Sequence, residues 1–144
     1  MISTLVERRT LFAAVLSSVL LAACAQPHVA PTGPVKAVVG TVDFRERTAL
    51  PAQAVLVVDL QDTSRADAPA RIVSQQSVKI ENLKPPFKFT LPVEQSQLNP
   101  SAQYTVSARI TDGSQTIYIS DTASPVLTRG AGQTADLLLV RGAP

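Results

Sequence analysis

From Phe87 to Val93 the chain alternates without a fault. Phe87, Phe89, Leu91 and Val93 are apolar, and Lys88, Thr90 and Pro92 stand between them. A period of two sends one set to each face of a β-strand, whereas a helix face repeats every 3.6 residues. The run therefore reads as a half-buried strand, with Phe87 and Phe89 facing a core and Lys88 and Thr90 facing water. The same period recurs through residues 35–144. Val38, Gly40, Val42 and Phe44 alternate with Val39, Thr41, Asp43 and Arg45, and Leu56, Val58 and Leu60 with Val57, Asp59 and Gln61. Tyr104, Val106, Ala108 and Ile110 alternate with Thr105, Ser107, Arg109 and Thr111. Residues 72–80 are weaker and Gln-rich, which suits an edge strand. Asp112-Gly113 is a hairpin signal ahead of Ile117 and Ile119, and residues 137–140 make a last short run. Pro51, Pro69, Pro85-Pro86, Pro100 and Pro125 fall between the runs, where proline does least harm. The pattern predicts an all-β fold, a single small antiparallel β-sandwich of about seven strands.

Residues 1–34 carry none of this alternation. Arg8 and Arg9 precede an apolar stretch, Leu11 to Leu16 and then Val19 to Leu21. It is shorter than the about 20 apolar residues needed to span a bilayer. The order of charge, apolar stretch and small residues is that of an export signal over residues 1–23. Leu21-Ala22-Ala23-Cys24 resembles the lipobox of bacterial lipoproteins, in which small residues let a peptidase reach the backbone and the thiol takes a diacylglycerol. Cys24 is the chain's single cysteine, so no intramolecular disulfide competes for it. Ala25 follows it rather than Asp, which in the sorting rule of enteric lipoproteins resembles an outer-membrane passenger. Ordinary secretion is the expected route, and Arg8-Arg9-Thr10-Leu11-Phe12 bears only a faint resemblance to a twin-arginine signal. Residues 24–34, with Pro27, Pro31, Gly33 and Pro34, read as the lipidated Cys and a flexible tether. The only histidine, His28, lies in this tether and reads as solvated.

The residue inventory offers little for catalysis. With one tether histidine and one lipidated cysteine, Ser-His and Cys-His pairs are lacking. There is no glycine-rich phosphate loop, no His-x-x-x-His and no Cys-x-x-Cys. The net charge is +2 and the basic residues are scattered, so no nucleic-acid-binding stripe forms. The expectation is a non-enzyme with no cofactor, no metal, no nucleic-acid partner and no small-molecule substrate.

The most polar segment runs from Asp59 to Ala70. Asp59, Asp62, Thr63, Ser64 and Asp67 suggest a hard-cation site, but no glycine sits mid-loop and no distal Glu closes it. A structured inter-strand loop is the favoured reading, with Asp62 and Ser64 bonding nearby amides as turn formers. Asp62, Arg65, Asp67 and Arg109 are the candidate loop or partner-contact residues. Arg109, on the polar face of its strand, is expected to pair with Asp67.

The motifs also carry a resemblance. Gly40-Thr41-Val42-Asp43-Phe44-Arg45-Glu46-Arg47-Thr48-Ala49-Leu50-Pro51, then Asp62 to Ala70, Pro86-Phe87-Lys88-Phe89, Tyr104 to Ile110 and Asp121 to Thr128 follow in order. Together they resemble the YbaY family of bacterial lipoproteins, grouped with the YscW-type pilotins of type III secretion, over about residues 36–140. Residues 115–118 depart from it, being less hydrophobic than in relatives. The resemblance implies a lipoprotein held in the outer membrane by Cys24, facing the periplasm. It also implies an envelope protein partner that the domain helps to assemble. An alternative expectation is a carbohydrate- or cell-wall-binding module. The scarcity of aromatics, with no tryptophan, weighs against it. Growth of cells with labelled palmitate tests the anchor. The wild-type chain should take up label and the Cys24→Ala variant should not; label retained in the variant would refute lipidation at Cys24.

Overall fold

The computed structural model describes residues 33–46 and 48–142. The expected signal, Cys24 and the tether as far as Thr32 lie outside the described residues. Eight strands follow one another: β1 Val35–Phe44, β2 Ala54–Asp62, β3 Arg71–Lys79, β4 Phe87–Glu94, β5 Tyr104–Asp112, β6 Gln115–Ser120, β7 Ser124–Val126 and β8 Thr134–Arg141. A single 3₁₀ turn at Gln95–Gln97 follows β4. The all-β expectation is borne out.

The strands form one sheet in the order β3-β2-β5-β6-β8-β1-β4, with the short β7 beside β5. The two layers of the expected sandwich are two halves of this one sheet, curled until its ends approach. One pair departs from the antiparallel expectation: β1 runs parallel to β8, from Val39 opposite Thr134 to Phe44 opposite Leu139. Parallel neighbours need a long crossover, and the whole of β2 to β7 supplies it.

Alternation became burial. Phe87 and Phe89 are 6% and 3% exposed, while Lys88 and Thr90 lie in solvent. Val38, Val42, Val106 and Ile110 are fully buried, and Leu137 and Leu139 complete the same core from β8. Gly40 is required by the curl. A Cβ there would lie 1.7 Å from the carbonyl oxygen of Ala135 and 2.8 Å from Cζ of Phe89. The β5–β6 hairpin turns at Gly113, whose φ of +58° suits glycine.

The curl stops short of a closed barrel. β3 and β4, the two ends of the order, lie side by side without a strand ladder between them. The amide of Thr90 instead donates to Oε1 of Gln76, at 2.8 Å. Backbone groups on a strand alternate in direction, so the even residues of β4 present their amides to this seam. Pro92 is one of them and has no N–H, which is why a proline is tolerated inside β4. The expectation that residues 72–80 form an edge strand is also met, because β3 has a backbone partner only on its β2 side.

Phe89 packs against β1 where Gly40 makes room for it. Phe89→Ala should cost about 3–5 kcal/mol of folding stability, read by denaturant titration. A loss below about 1 kcal/mol would contradict its place in the core.

Candidate functional site

Three places bear on the expected site residues and on docking. The first is the loop after β2. Oδ1 of Asp62 accepts from the amide of Ser64 at 3.0 Å and from its hydroxyl at 2.5 Å. The hydroxyl bond and then the amide bond hold the Asp62 carboxyl below its usual range. The small stabilisation this gives an open loop is full above the ordinary carboxylate value and fades as pH falls through the lowered one. Ser64 Oγ also accepts from the Gln103 amide at 2.9 Å, and the Thr63 amide donates to the Gln103 carbonyl at 2.8 Å. The start of the loop is therefore pinned to the β4–β5 connection. Beyond it, Arg65 and Asp67 stand 3.9 Å apart with side chains 78% and 85% exposed, a pair worth about 0–1 kcal/mol.

Arg109 does not pair with Asp67. Asp62 is opposite Tyr104 in the β2–β5 register, and Arg109 lies five residues further along β5, about 17 Å away at the rise of a strand. It reaches Asp59 instead, with Nη1 donating to Oδ2. Oδ1 of Asp59 accepts from Nε2 of Gln75 at 2.6 Å. These residues come from β5, β2 and β3, on the outer face of the sheet. Asp59 is fully buried there, although its place in the alternation predicts exposure. The sequence signal for it is a lone acid inside the apolar run from Ala54 to Leu60. The carboxylates of the polar segment do not converge on a cation: Asp59 faces Arg109, Asp62 faces Ser64 and Asp67 faces Arg65.

The third place, which the sequence did not single out, is the seam. An apolar crevice of about 190 Å³ opens between β3 and β4. Leu56, Val58 and Val78 form one wall, and Phe87 and Phe89 the other. Leu83, Lys84 and Lys88 stand at its rim, and Gln76 crosses it. Leu83 is 52% exposed, an uncovered aliphatic side chain beside an apolar opening. The chemistry on offer is that of a docking surface: an apolar slot, free strand edges and positive charge.

Residues 33–139 match the family described as type III secretion system lipoprotein chaperone (YscW). The chain belongs to the YscW family. The match takes in every strand of the curled sheet except the end of β8. Among curated proteins, the uncharacterized lipoprotein YbaY of Escherichia coli (strain K12) is 43% identical over 101 residues. That is 70% of this chain and 53% of that protein, so the chain spans about half the length of the relative. Among solved structures, an alternative pilotin from the type II secretion system of Vibrio cholerae is similar with a TM-score of 0.72 and 34% identity. It covers 77% of this chain and all of that one. The relatives of this YscW-family chain are thus described as chaperone, lipoprotein and pilotin, and the resemblance drawn from the sequence motifs stands.

The pairing of Asp59 with Arg109 predicts an asymmetry. Arg109 is 37% exposed and can turn to water when its partner is lost, whereas the Asp59 side chain is 1% exposed and cannot. Arg109→Leu should cost about 3–5 kcal/mol because it strands a buried carboxylate. Asp59→Asn should cost less. Equal losses in urea titrations of the two variants would show that the pair is not buried as described.

Proposed function

We propose that this chain is a non-enzymatic lipoprotein, exported by an N-terminal signal and held in the outer membrane by acyl chains on Cys24. Its β-domain faces the periplasm and assists an outer-membrane protein to reach or assemble in that membrane. The observation that carries this reading is the likeness to a type II secretion pilotin over the full length of that protein, at 34% identity. The lipobox-like Leu21-Ala22-Ala23-Cys24 supplies the anchor such a role requires. Two or more acyl chains give stable anchoring, each buried CH₂ contributing about 0.8 kcal/mol.

The aromatic side chains bear on the alternative of a sugar-binding module. Phe87, Phe89, Tyr104 and Tyr118 are buried and Phe44 is half-buried against the core. Among the described residues no aromatic ring lies open for a sugar to stack on. Asp62, Arg65 and Asp67 remain a partner-contact surface in this proposal, because the Arg65–Asp67 end of their loop is free of the domain. Arg109 belongs to the outer-face ion pair instead.

Crosslinking the lipidated protein in envelope fractions tests the role. The expected result is recovery of a secretin or a β-barrel component of the outer membrane. Recovery with peptidoglycan or glycan, and with no such protein, would overturn the proposal in favour of the wall-binding module.

A further inference from the structure

The seam between β3 and β4 is an interrupted pairing. Each strand has a full ladder on one side, β3 with β2 and β4 with β1. On the seam side their backbones meet only through the side chain of Gln76, whose carboxamide oxygen stands where a neighbouring strand's carbonyl would stand for the Thr90 amide. The Lys88 amide, two residues before, points the same way. Behind these groups lies the apolar crevice. Its about 190 Å³ compares with the roughly 150 Å³ cavity that accommodates a benzene ring in an engineered core. At its rim Lys84 and Lys88 make no ion pair among the described residues. No acid among the described residues lines the crevice, and Glu81 is the only one in the connection from Ile80 to Pro86, so the rim is net positive.

Resting on the pilotin-like reading, we infer that the seam is the docking site for its protein partner, and that the partner enters as an extended peptide of alternating apolar and acidic residues. The peptide backbone takes the Lys88–Thr90 edge of β4 and displaces the Gln76 carboxamide. An aliphatic side chain of the peptide enters the crevice between Val78 and Phe89, and its carboxylates meet Lys84 and Lys88. Strand addition of this kind draws affinity from backbone bonds and specificity from the pocket behind them. Pro92, without an N–H, ends the available edge, so the docked segment is short.

A fluorescein-labelled octapeptide of alternating valine and glutamate is the direct probe, titrated against the full-length protein in nanodiscs by fluorescence anisotropy. Binding should fall tenfold or more in the Lys84→Glu, Lys88→Glu double variant, whose changes are on exposed side chains and should leave the circular dichroism unaltered. It should fall similarly when the peptide's edge amides are N-methylated. Absence of binding, equal binding by the double variant, or equal binding of a valine–lysine peptide would overturn the inference. A second measurement separates it from the reading beneath it. A photo-crosslinking amino acid is placed at Lys88 or at Ile119, an exposed residue of β6 on the far side of the curl. A secretin or β-barrel protein captured through an acidic segment at position 88 supports docking at the seam. Capture at position 119 alone overturns the seam and leaves the pilotin reading intact. Capture of that class of protein at neither position, or a lipid adduct alone at position 88, overturns the seam; the pilotin reading falls only when crosslinking of the lipidated protein in envelope fractions also recovers no such protein.

Discussion

The fold depends on how closely β1 and β8 approach each other. β1 joins β4, antiparallel on one side, to β8, parallel on the other. Without that parallel pairing, β1-β4 and β3-β2-β5-β6-β8 share no strand ladder. The approach is set at Gly40, which has no Cβ to collide with the Ala135 carbonyl. The ring of Phe89 then fills the space over Gly40. One missing methyl thus fixes the curl, and the curl decides that the sheet's inner face is buried against itself.

A sheet that curls this far has to do something with its two ends. Full closure would remove the exposed edges, and with them the hazard of pairing with other chains. Here the ends approach and stop. Pro92 removes one donor, lysines flank the gap and Gln76 occupies the Thr90 amide. Each of these is a known way of making an edge unattractive to a random strand. Together they leave an edge whose lysines favour an acidic segment over a basic one.

Most of the fold was legible because most strands have one wet face, so alternation reports burial directly, β2 being the exception with Leu56 to Leu60 buried on both faces. β1, β2, β4, β5 and the core positions of β8 lie where the period of two put them, and Gln-rich β3 lies at an edge. What stayed hidden is what depends on strands far apart in the chain. The parallel β1–β8 pair joins residues about a hundred positions apart, and no local pattern encodes it. β7 has three residues and contains Pro125, so it reads as a turn and becomes a strand only because β5 is there to pair with. Asp59 looks like a solvent-facing residue until Arg109, fifty residues on, is brought over it. Arg109 was visible as a candidate, but its partner was not, because the β2–β5 register rather than loop reach decides what it touches. The seam was invisible for the same reason: Gln76 and Thr90 are ordinary polar residues until the curl sets them face to face.

The two polar features of β3 divide the labour of that strand. Gln75 points outward and holds Asp59, tying β3 to the outer face of β2 and, through Arg109, to β5. Gln76 points the other way and holds only the Thr90 amide. The first contact is part-buried, and it holds a buried carboxylate already joined to an ion pair, so breaking it takes a donor from a charge that water does not reach. The second is exposed, and breaking it frees groups that water or another carbonyl can satisfy at once. Exchange of the Gln76 carboxamide for a peptide carbonyl leaves the number of hydrogen bonds unchanged. The net gain on docking then comes from the further backbone bonds along the Lys88–Thr90 edge, from filling the crevice and from neutralising the lysine rim. β3 can therefore serve as the movable side of the seam without loosening the rest of the sheet, because its anchoring glutamine and its latching glutamine are different residues on opposite faces.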